Sequence, residues 1–565
     1  VAVTIAMRWP AGGESFWLDE LHSAWVVSDD FGSTSDRAAD GNQTTGYFHS
    51  LWIWKNLVTL AGLDRVFGFE WAMRLSSVIA NAFAALVLLV GVAKSSRSLV
   101  GGTVAALMLA CDRNAIFFGG ELRSYAVIML ASAVSVFAFM RSIGRMDLLL
   151  DADGGAGNEQ GPHDDEVDRA TRWRLILLFS VCVGALIHPT SLGTLGLLFP
   201  TVFVLSIRTG RFRLGAGDVT GVIVGLVTLG LLAMSSLPHS WQRRDLWRAF
   251  GRATDLSQWW FAWDWWSLLI FPAIVVAMIS AACLLIDWSR GLNQEIHDER
   301  IGPVGGCVRG RLWMGSVPGA IGTLATAIFF AASYLDWVPL WHRRYFIAAL
   351  PLLAWTTGEF AGHCQQALRQ ITLRWGGKGS GIVRRHGTGL VVLLIFVGGL
   401  LFHQGVLSTI VAGRFPMQLR GEAWRQAVQR VNSQRDHGDH VWLDSGLIEA
   451  SVLSAPPDRW PQEYDRIWEY LQFPVRGPYR IDGVKLVSPN ADSAWLKRLV
   501  DGLPTGQSRV WLVTRSHPTS VALLLKRLRV ARECDVVWQT KLRPAVLQIN
   551  FPSTQPDPKS EARTR

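Results

Sequence analysis

The stretch Leu75-Ser-Ser-Val-Ile-Ala-Asn-Ala-Phe-Ala-Ala-Leu-Val-Leu-Leu-Val-Gly-Val-Ala93 runs without a charge between Arg74 and Lys94. A helix of this length reaches across the roughly 30 Å hydrocarbon core of a bilayer. Similar apolar segments lie near 99–118, 122–141, 218–237, 266–286, 312–334, 344–362 and 388–411. The stretch 173–207 is longer and is interrupted by His188-Pro189-Thr190-Ser191, so it reads as two spans joined by a tight outer turn. Val1–Met7 reads as the tail of a span whose start lies upstream. The predicted fold is mainly α: a polytopic transmembrane helical bundle.

Composition agrees. Half of the 565 residues are hydrophobic and 18% are charged, below the roughly 25% of soluble domains. The 27 Trp suit the membrane–water boundary, where the ring is buried and its N–H stays wet. The six Cys, at 111, 182, 283, 307, 364 and 534, are scattered singly. They form no CxxC pair and point to neither a disulfide framework nor a zinc site.

Loop charge orients the bundle. Lys94 and Arg97; Arg208, Arg211 and Arg213; and Arg369, Arg374, Lys378, Arg384 and Arg385 mark three loops without acidic residues. By the positive-inside rule these loops are cytoplasmic. Alternation then places 8–74, 119–121, 238–265, 335–343 and everything after 412 on the outer side. The acidic, Gly-rich loop near 142–172 has the composition of a disordered segment. The loop 238–265, with Trp241, Arg243, Arg244, Trp247, Arg248, Arg252 and then Trp259, Trp260, Trp263 and Trp265, reads as an interfacial amphipathic helix leading into an aromatic belt. Its second reading is a wall for a prenyl chain or headgroup.

The character of the chain changes at about 412. Trp424, Ala427, Val428 and Val431 recur at helical spacing. Short apolar runs follow at Val441–Leu443, Val484–Val487, Val510–Val513, Val536–Trp538 and Ala545–Ile549, alternating with helix-like stretches at 492–502 and 519–529. This pattern predicts a small extracytoplasmic α/β domain over 412–552, following a membrane domain over 1–411, with a disordered tail at 553–565. No phosphate-cradling Gly loop marks a nucleotide site. The segment from Gly413 holds 23 Lys+Arg against 16 Asp+Glu. That surplus suits anionic headgroups or an anionic substrate rather than nucleic acid, since no aromatic–basic recognition motif accompanies it.

Several outer-side residues could carry chemistry. Asp19 and Glu20 follow Phe16-Trp17-Leu18, and a carboxylate seated at a membrane surface can act as a base. The same pair would also complement a helix N-terminus. Glu121-Leu-Arg123-Ser-Tyr125 opens a span, and an Arg there can hold a phosphate bidentately or simply snorkel. Arg343, Arg344 and Tyr345 open a later span, where a bound lipid phosphate or an interfacial anchor would account for the paired cations. His188 sits at a helix break, within reach of substrate or as part of the turn.

Taken in order, these elements resemble the C-type membrane glycosyltransferases, in particular family 39. That group includes protein O-mannosyltransferases and aminoarabinose transferases of lipid A. The resemblance rests on Trp17-Leu-Asp-Glu20 with Ser23-Ala24, Tyr47-Phe-His-Ser-Leu-Trp52, Phe69-Glu-Trp-Ala-Met-Arg-Leu-Ser76, Glu121–Tyr125, and Arg344-Tyr345 before Pro351. It covers about residues 14–362, and the tail is similar to the extracytoplasmic domain of many bacterial members. The chain has Thr44-Thr45-Gly46 where relatives often carry a Pro pair.

The resemblance implies inverting transfer from a polyprenyl-phosphate sugar in a multi-pass protein of the plasma (inner) membrane. Asp19 would be the general base and Glu20 its catalytic neighbour. Arg123, Arg343 and Arg344 would bind donor phosphate, and Glu121, Tyr125, His188 and Tyr345 would line the substrate site. The partners are the polyprenyl-phosphate donor, membrane lipids, and a lipid, polysaccharide or protein acceptor; nucleic acid is not among them. No cofactor is implied with certainty, and a divalent metal is left open beside the Asp–Glu pair. The rival classes are a transporter or flippase of a lipid-linked sugar, which would need polar groups deeper in the membrane, and a membrane-anchored sensor.

Overall fold

In a computed structural model the chain is described over residues 1–41, 43–143, 164–208, 216–235, 251–291, 304–375, 381–413, 421–447, 450, 465–540 and 542–553. The core of the acidic loop, the Trp/Arg-rich segment at 236–250 and the terminal residues 554–565 lie outside the described residues. The protein is a polytopic helical membrane protein with a small five-stranded sheet near its C-terminal end. It folds as two compact units. One comprises Val1–Gly12, Asn42–Ser50 and Arg74–Gln418; the other comprises Gly13–Gly41, Leu51–Met73 and Leu419–Arg565.

Five described helices, in the first unit except for residues 69–73, are long and apolar enough to cross a membrane: Phe69–Ser95, Tyr125–Ser142, Ala170–Ile187, Trp266–Leu285 and Trp313–Tyr334. Pro189–Leu205, Asp218–Leu231 and Gly387–His403 are shorter apolar helices. The continuous spans expected at 99–118, 344–362 and 388–411 are each reshaped by local chemistry.

The first divides into Leu99–Cys111 and Arg113–Gly119, bent by 63°. Asp112 accepts hydrogen bonds from the N–H groups of Asn114 and Ala115 and so caps the second helix. The buried Arg8 donates to the carbonyls of Leu109 and Ala110 at the end of the first helix and to Ala115 in the second. Orphaned backbone groups on both sides of the break are thereby satisfied inside an apolar bundle.

The second begins only at Ala349, after a 3₁₀ turn at Arg343–Tyr345. Pro351 falls in its first turn, where a missing N–H costs no helical bond. The third ends at His403, and Gly405, with φ of 68°, supplies the left-handed residue before Val406–Val411.

Helices Leu99–Cys111 and Ala349–Trp375 approach closely along small residues. A Cβ on Gly101 would stand 2.7 Å from the Gly358 carbonyl, and one on Gly362 would stand 2.7 Å from the Ser96 Cβ. Gly358 and Gly362, four residues apart, allow the close helix packing that replaces hydrophobic drive within lipid.

The second unit is built on a mixed sheet. Its strands are β1 (His440–Asp444), β2 (Val484–Leu486), β3 (Ser508–Thr514), β4 (Asp535–Thr540) and β5 (Ala545–Phe551). The order is β2-β1-β3-β5-β4, with β1 parallel to β2 and β3, and β5 antiparallel to β3 and β4. Val441, Trp442 and Leu443 are buried, as are Val510 through Val513, as their unbroken apolar runs require of strands covered on both faces. The helix Trp424–Gln434 buries the four residues that set its periodicity.

Gly13–Gly41 and Leu51–Met73 belong to this same unit. The Phe16 N–H donates to the Tyr479 hydroxyl at 2.7 Å. The Ser15 hydroxyl donates to the Glu422 carbonyl at 2.9 Å. Arg37 pairs with Glu469 at 3.2 Å, and Arg466 pairs with Asp36 at 3.0 Å. Trp25 packs on Tyr470 with ring centroids 5.0 Å apart, a contact worth about 0.5–1.5 kcal/mol beyond its buried area.

Candidate functional site

Asp19 sits in the first turn of the helix Leu18–Val26 and is partly exposed. Glu20 beside it is fully buried, and its carboxylate accepts the Trp17 N–H at 3.4 Å. The two carboxylates therefore differ in task. Glu20 closes the helix N-terminus in the manner of a capping box, and Asp19 is the one with access to solvent. The segment before them is fixed twice, through Ser15 and Phe16, to residues near the start of the helix Trp424–Gln434 and near the start of β2.

The first unit gathers another set. The turn at 121–124 holds buried Glu121 and Arg123 and leads into Tyr125. The Tyr125 and His188 rings lie 6.2 Å apart, and those of His188 and Tyr345 lie 6.1 Å apart. Arg344 stands over the Tyr345 ring at 4.9 Å and donates to the Tyr345 hydroxyl at 3.0 Å. His188 Nδ1 is hydrogen-bonded to the Thr190 hydroxyl at 2.8 Å.

His188 lies between two apolar helices, and desolvation pushes its pKa from 6.5 to about 3, with the Arg123 and Arg344 cations adding to the effect. The ring is thus neutral near pH 7, and the positive charge of the cluster resides in the two arginines. Three stretches more than sixty residues apart in sequence meet here as two cations, two phenols and a neutral imidazole. All can donate hydrogen bonds to a phosphate oxygen.

Arg343 turns elsewhere. Its guanidinium donates to the carbonyls of Phe261 and Ala262 at 2.8 and 3.0 Å and to Asn114 Oδ1 at 3.4 Å. Adjacent in sequence, Arg343 and Arg344 thus serve different neighbourhoods. The 3₁₀ turn separates them, and the His342 side chain caps it by accepting the Arg344 N–H at 3.3 Å.

Sequence reasoning missed several residues that support one or the other of these two sets. Phe118 packs on Tyr125 with centroids 5.1 Å apart, and Thr190 holds His188. Neither carries a signal of its own in sequence. Tyr479 and Glu422 also went unnoticed, because their importance comes only from contact with residues more than 400 positions away. Among the described residues, no group of three or more His, Cys, Asp or Glu is placed to hold a metal ion.

No family model matches the chain, and no curated protein matches it. Solved structures similar to it include the following two. The crystal structure of ArnT from Cupriavidus metallidurans, bound to undecaprenyl phosphate, aligns with 98% of this chain and 98% of its own at 11% identity and a TM-score of 0.47. The oligosaccharyltransferase AglB from Archaeoglobus fulgidus, in complex with an inhibitory peptide and a dolichol-phosphate, aligns over 90% of this chain and 68% of its own at 9% identity and a TM-score of 0.38.

Proposed function

We propose that this chain is a membrane glycosyltransferase that moves a hexosyl or pentosyl group from a polyprenyl-phosphate donor to an acceptor on the outer face of the plasma membrane. The observation that carries this reading is the convergence of Arg123 and Arg344 with Tyr125, Tyr345 and a neutral His188, a phosphate-seeking cluster beside apolar helices.

In the proposed reaction, the Asp19 carboxylate takes the proton of an acceptor hydroxyl or amine. The acceptor oxygen or nitrogen forms a bond to the anomeric carbon from the face opposite the phosphate. The anomeric C–O bond breaks with its electron pair going to the polyprenyl phosphate, and the configuration inverts. Arg123 and Arg344 offset the charge that develops on the leaving phosphate, the largest electrostatic demand of the step. Glu20 orients the helix that bears Asp19. Arg343 supports the site through the 261–262 loop.

The Asp19 segment and the α/β sheet belong to one unit, which supports placing both on the outer side. Incubating membranes that contain this chain with a set of labelled polyprenyl-phosphate sugars tests the proposal. Label is expected to pass to an acceptor in a chain-dependent manner. Donors that remain intact across the set would leave the chain in the transporter class.

A further inference from the structure

Arg343 does more than anchor a loop. It helps frame a cavity of about 490 Å³ within the first unit, lined among others by Arg113, Trp260, Asp264, Trp266, His403 and Gln404. This volume falls within the range of pockets that enclose small ligands, roughly 300–1,000 Å³. The cavity lies at the ends of three apolar elements: Trp266 opens one span, His403 closes another apolar helix, and Arg113 opens the helix after the Asp112 break.

The walls are tied together. Gln404 donates to Asp112 Oδ2 and accepts the Arg113 N–H, each at 2.8 Å. Arg343 clamps the Phe261 and Ala262 carbonyls. Asp264 Oδ1 is 2.9 Å from His403 Nδ1, while Asp264 Oδ2 accepts the Ser267 hydroxyl. With Nδ1 engaged by the carboxylate, His403 has Nε2 left for a ligand. Trp266 stacks near His403 at 6.4 Å, and Trp260 and Trp266 remain about half exposed, at 49% and 45%. Residues Trp266–Ile270 form a π-helical turn, a feature that recurs at functional positions.

From this arrangement we infer that the cavity is a binding site for a sugar ring. A pyranose has apolar C–H faces and an equatorial rim of hydroxyls. Trp260 and Trp266 offer electron-rich faces to the C–H groups. Asp264, His403, Gln404 and Arg113 offer acceptors and donors to the rim. A lipid phosphate fits less well, because Asp264 would oppose it and the Arg343 guanidinium is held by two carbonyls and an amide. A plain aromatic anchor would have no use for a carboxylate–imidazole pair locked between two elements. The ring belongs either to a free glycan or to the headgroup of a membrane glycolipid.

The test uses the full chain in phosphatidylcholine nanodiscs and saturation-transfer NMR. The probes are methyl α-mannopyranoside, methyl β-glucopyranoside, methyl β-galactopyranoside and N-acetylglucosamine, with glycerol 3-phosphate as the phosphate probe. At least one glycoside is expected to receive saturation at its ring protons. Asp264→Asn and Trp266→Ala are each expected to weaken that binding about tenfold or more, as loss of a charge-assisted hydrogen bond or a stacking face implies. The surface variant Trp538→Ala, at a residue 43% exposed, should leave it unchanged. Adding monoglucosyl diacylglycerol to the nanodiscs separates the sources: displacement of the soluble glycoside assigns the site to a glycolipid, and persistence assigns it to a free glycan. Three results would each overturn the inference: silence from all four sugars, binding of glycerol phosphate alone, or sugar signals that survive both cavity variants.

Discussion

The backbone N–H of Phe16 donates to the side-chain hydroxyl of Tyr479 at 2.7 Å, joining the segment that leads into Asp19 to the α/β part of the chain. Phe16 is fully buried, so its N–H is met by that phenol rather than by bulk water. Tyr479→Phe keeps the ring and removes the acceptor. The expected cost is about 1–3 kcal/mol, the penalty of an unsatisfied buried donor. Denaturant titration of the purified protein checks it, and an unchanged midpoint would mean that the Asp19 segment is held by other contacts.

Glu422 and Arg515 form a second tie. Their ion pair spans 2.6 Å, with the side chains 3% and 12% exposed, and the Glu422 carbonyl receives Ser15. Removing one partner strands a buried charge, so Arg515→Ala is expected to destabilise by about 3–5 kcal/mol. The double variant Glu422→Gln/Arg515→Met is expected to lose markedly less than the sum of the single changes. A double-mutant cycle with strict additivity would show that the pair is uncoupled.

Arg123→Ala and Arg344→Ala each remove a cation from the cluster around His188. Each is expected to weaken donor use by about 1.5–3 kcal/mol while acceptor use changes little. Donor and acceptor titrations separate the two. Arg343→Ala, by contrast, should act through loss of order in the 261–262 loop. Unaltered apparent donor affinity in both cluster variants would reduce Arg123 and Arg344 to membrane anchors.

His188 gives a pH signature. Its folded-state pKa of about 3 lies below the ordinary 6.5, so the folded protein holds the neutral ring while the unfolded chain takes up a proton below 6.5. The stabilisation is complete above about pH 6.5 and is lost progressively as pH falls toward 3. Wild type is therefore expected to lose stability on acidification more steeply than His188→Gln over that window, and the two should run parallel above it. Denaturation midpoints measured from pH 4 to 8 check this, and parallel curves throughout would remove His188 from the buried cluster.

Much of this architecture could be read directly from sequence. Charge-free stretches such as 75–93 announce membrane helices because the bilayer leaves them few alternatives, and the alternation after Trp424 announced strands and helices of the α/β part. Helix breaks were harder. Asp112 sits inside an apolar run, and only its capping of Asn114 and Ala115, together with the carbonyls taken up by Arg8, shows why the chain bends there. The different partners of Arg343 and Arg344 were hidden for a related reason: sequence places the two side by side, and only the fold gives one the Phe261 and Ala262 carbonyls and the other the Tyr345 hydroxyl. Tyr479 and Glu422 were invisible because nothing local distinguishes them from other residues of the tail.

The transferase reading depends most directly on Asp19, the partly exposed member of the carboxylate pair. The decisive measurement is turnover of a labelled polyprenyl-phosphate sugar by purified Asp19→Asn, with expression and membrane insertion verified. Asn preserves size but cannot take the acceptor's proton, so turnover is expected to fall by about 10²–10⁴-fold, whereas Glu20→Gln, whose amide oxygen still accepts the Trp17 N–H, is expected to cost far less. Near-normal turnover in Asp19→Asn would contradict the account and remove Asp19 as the base.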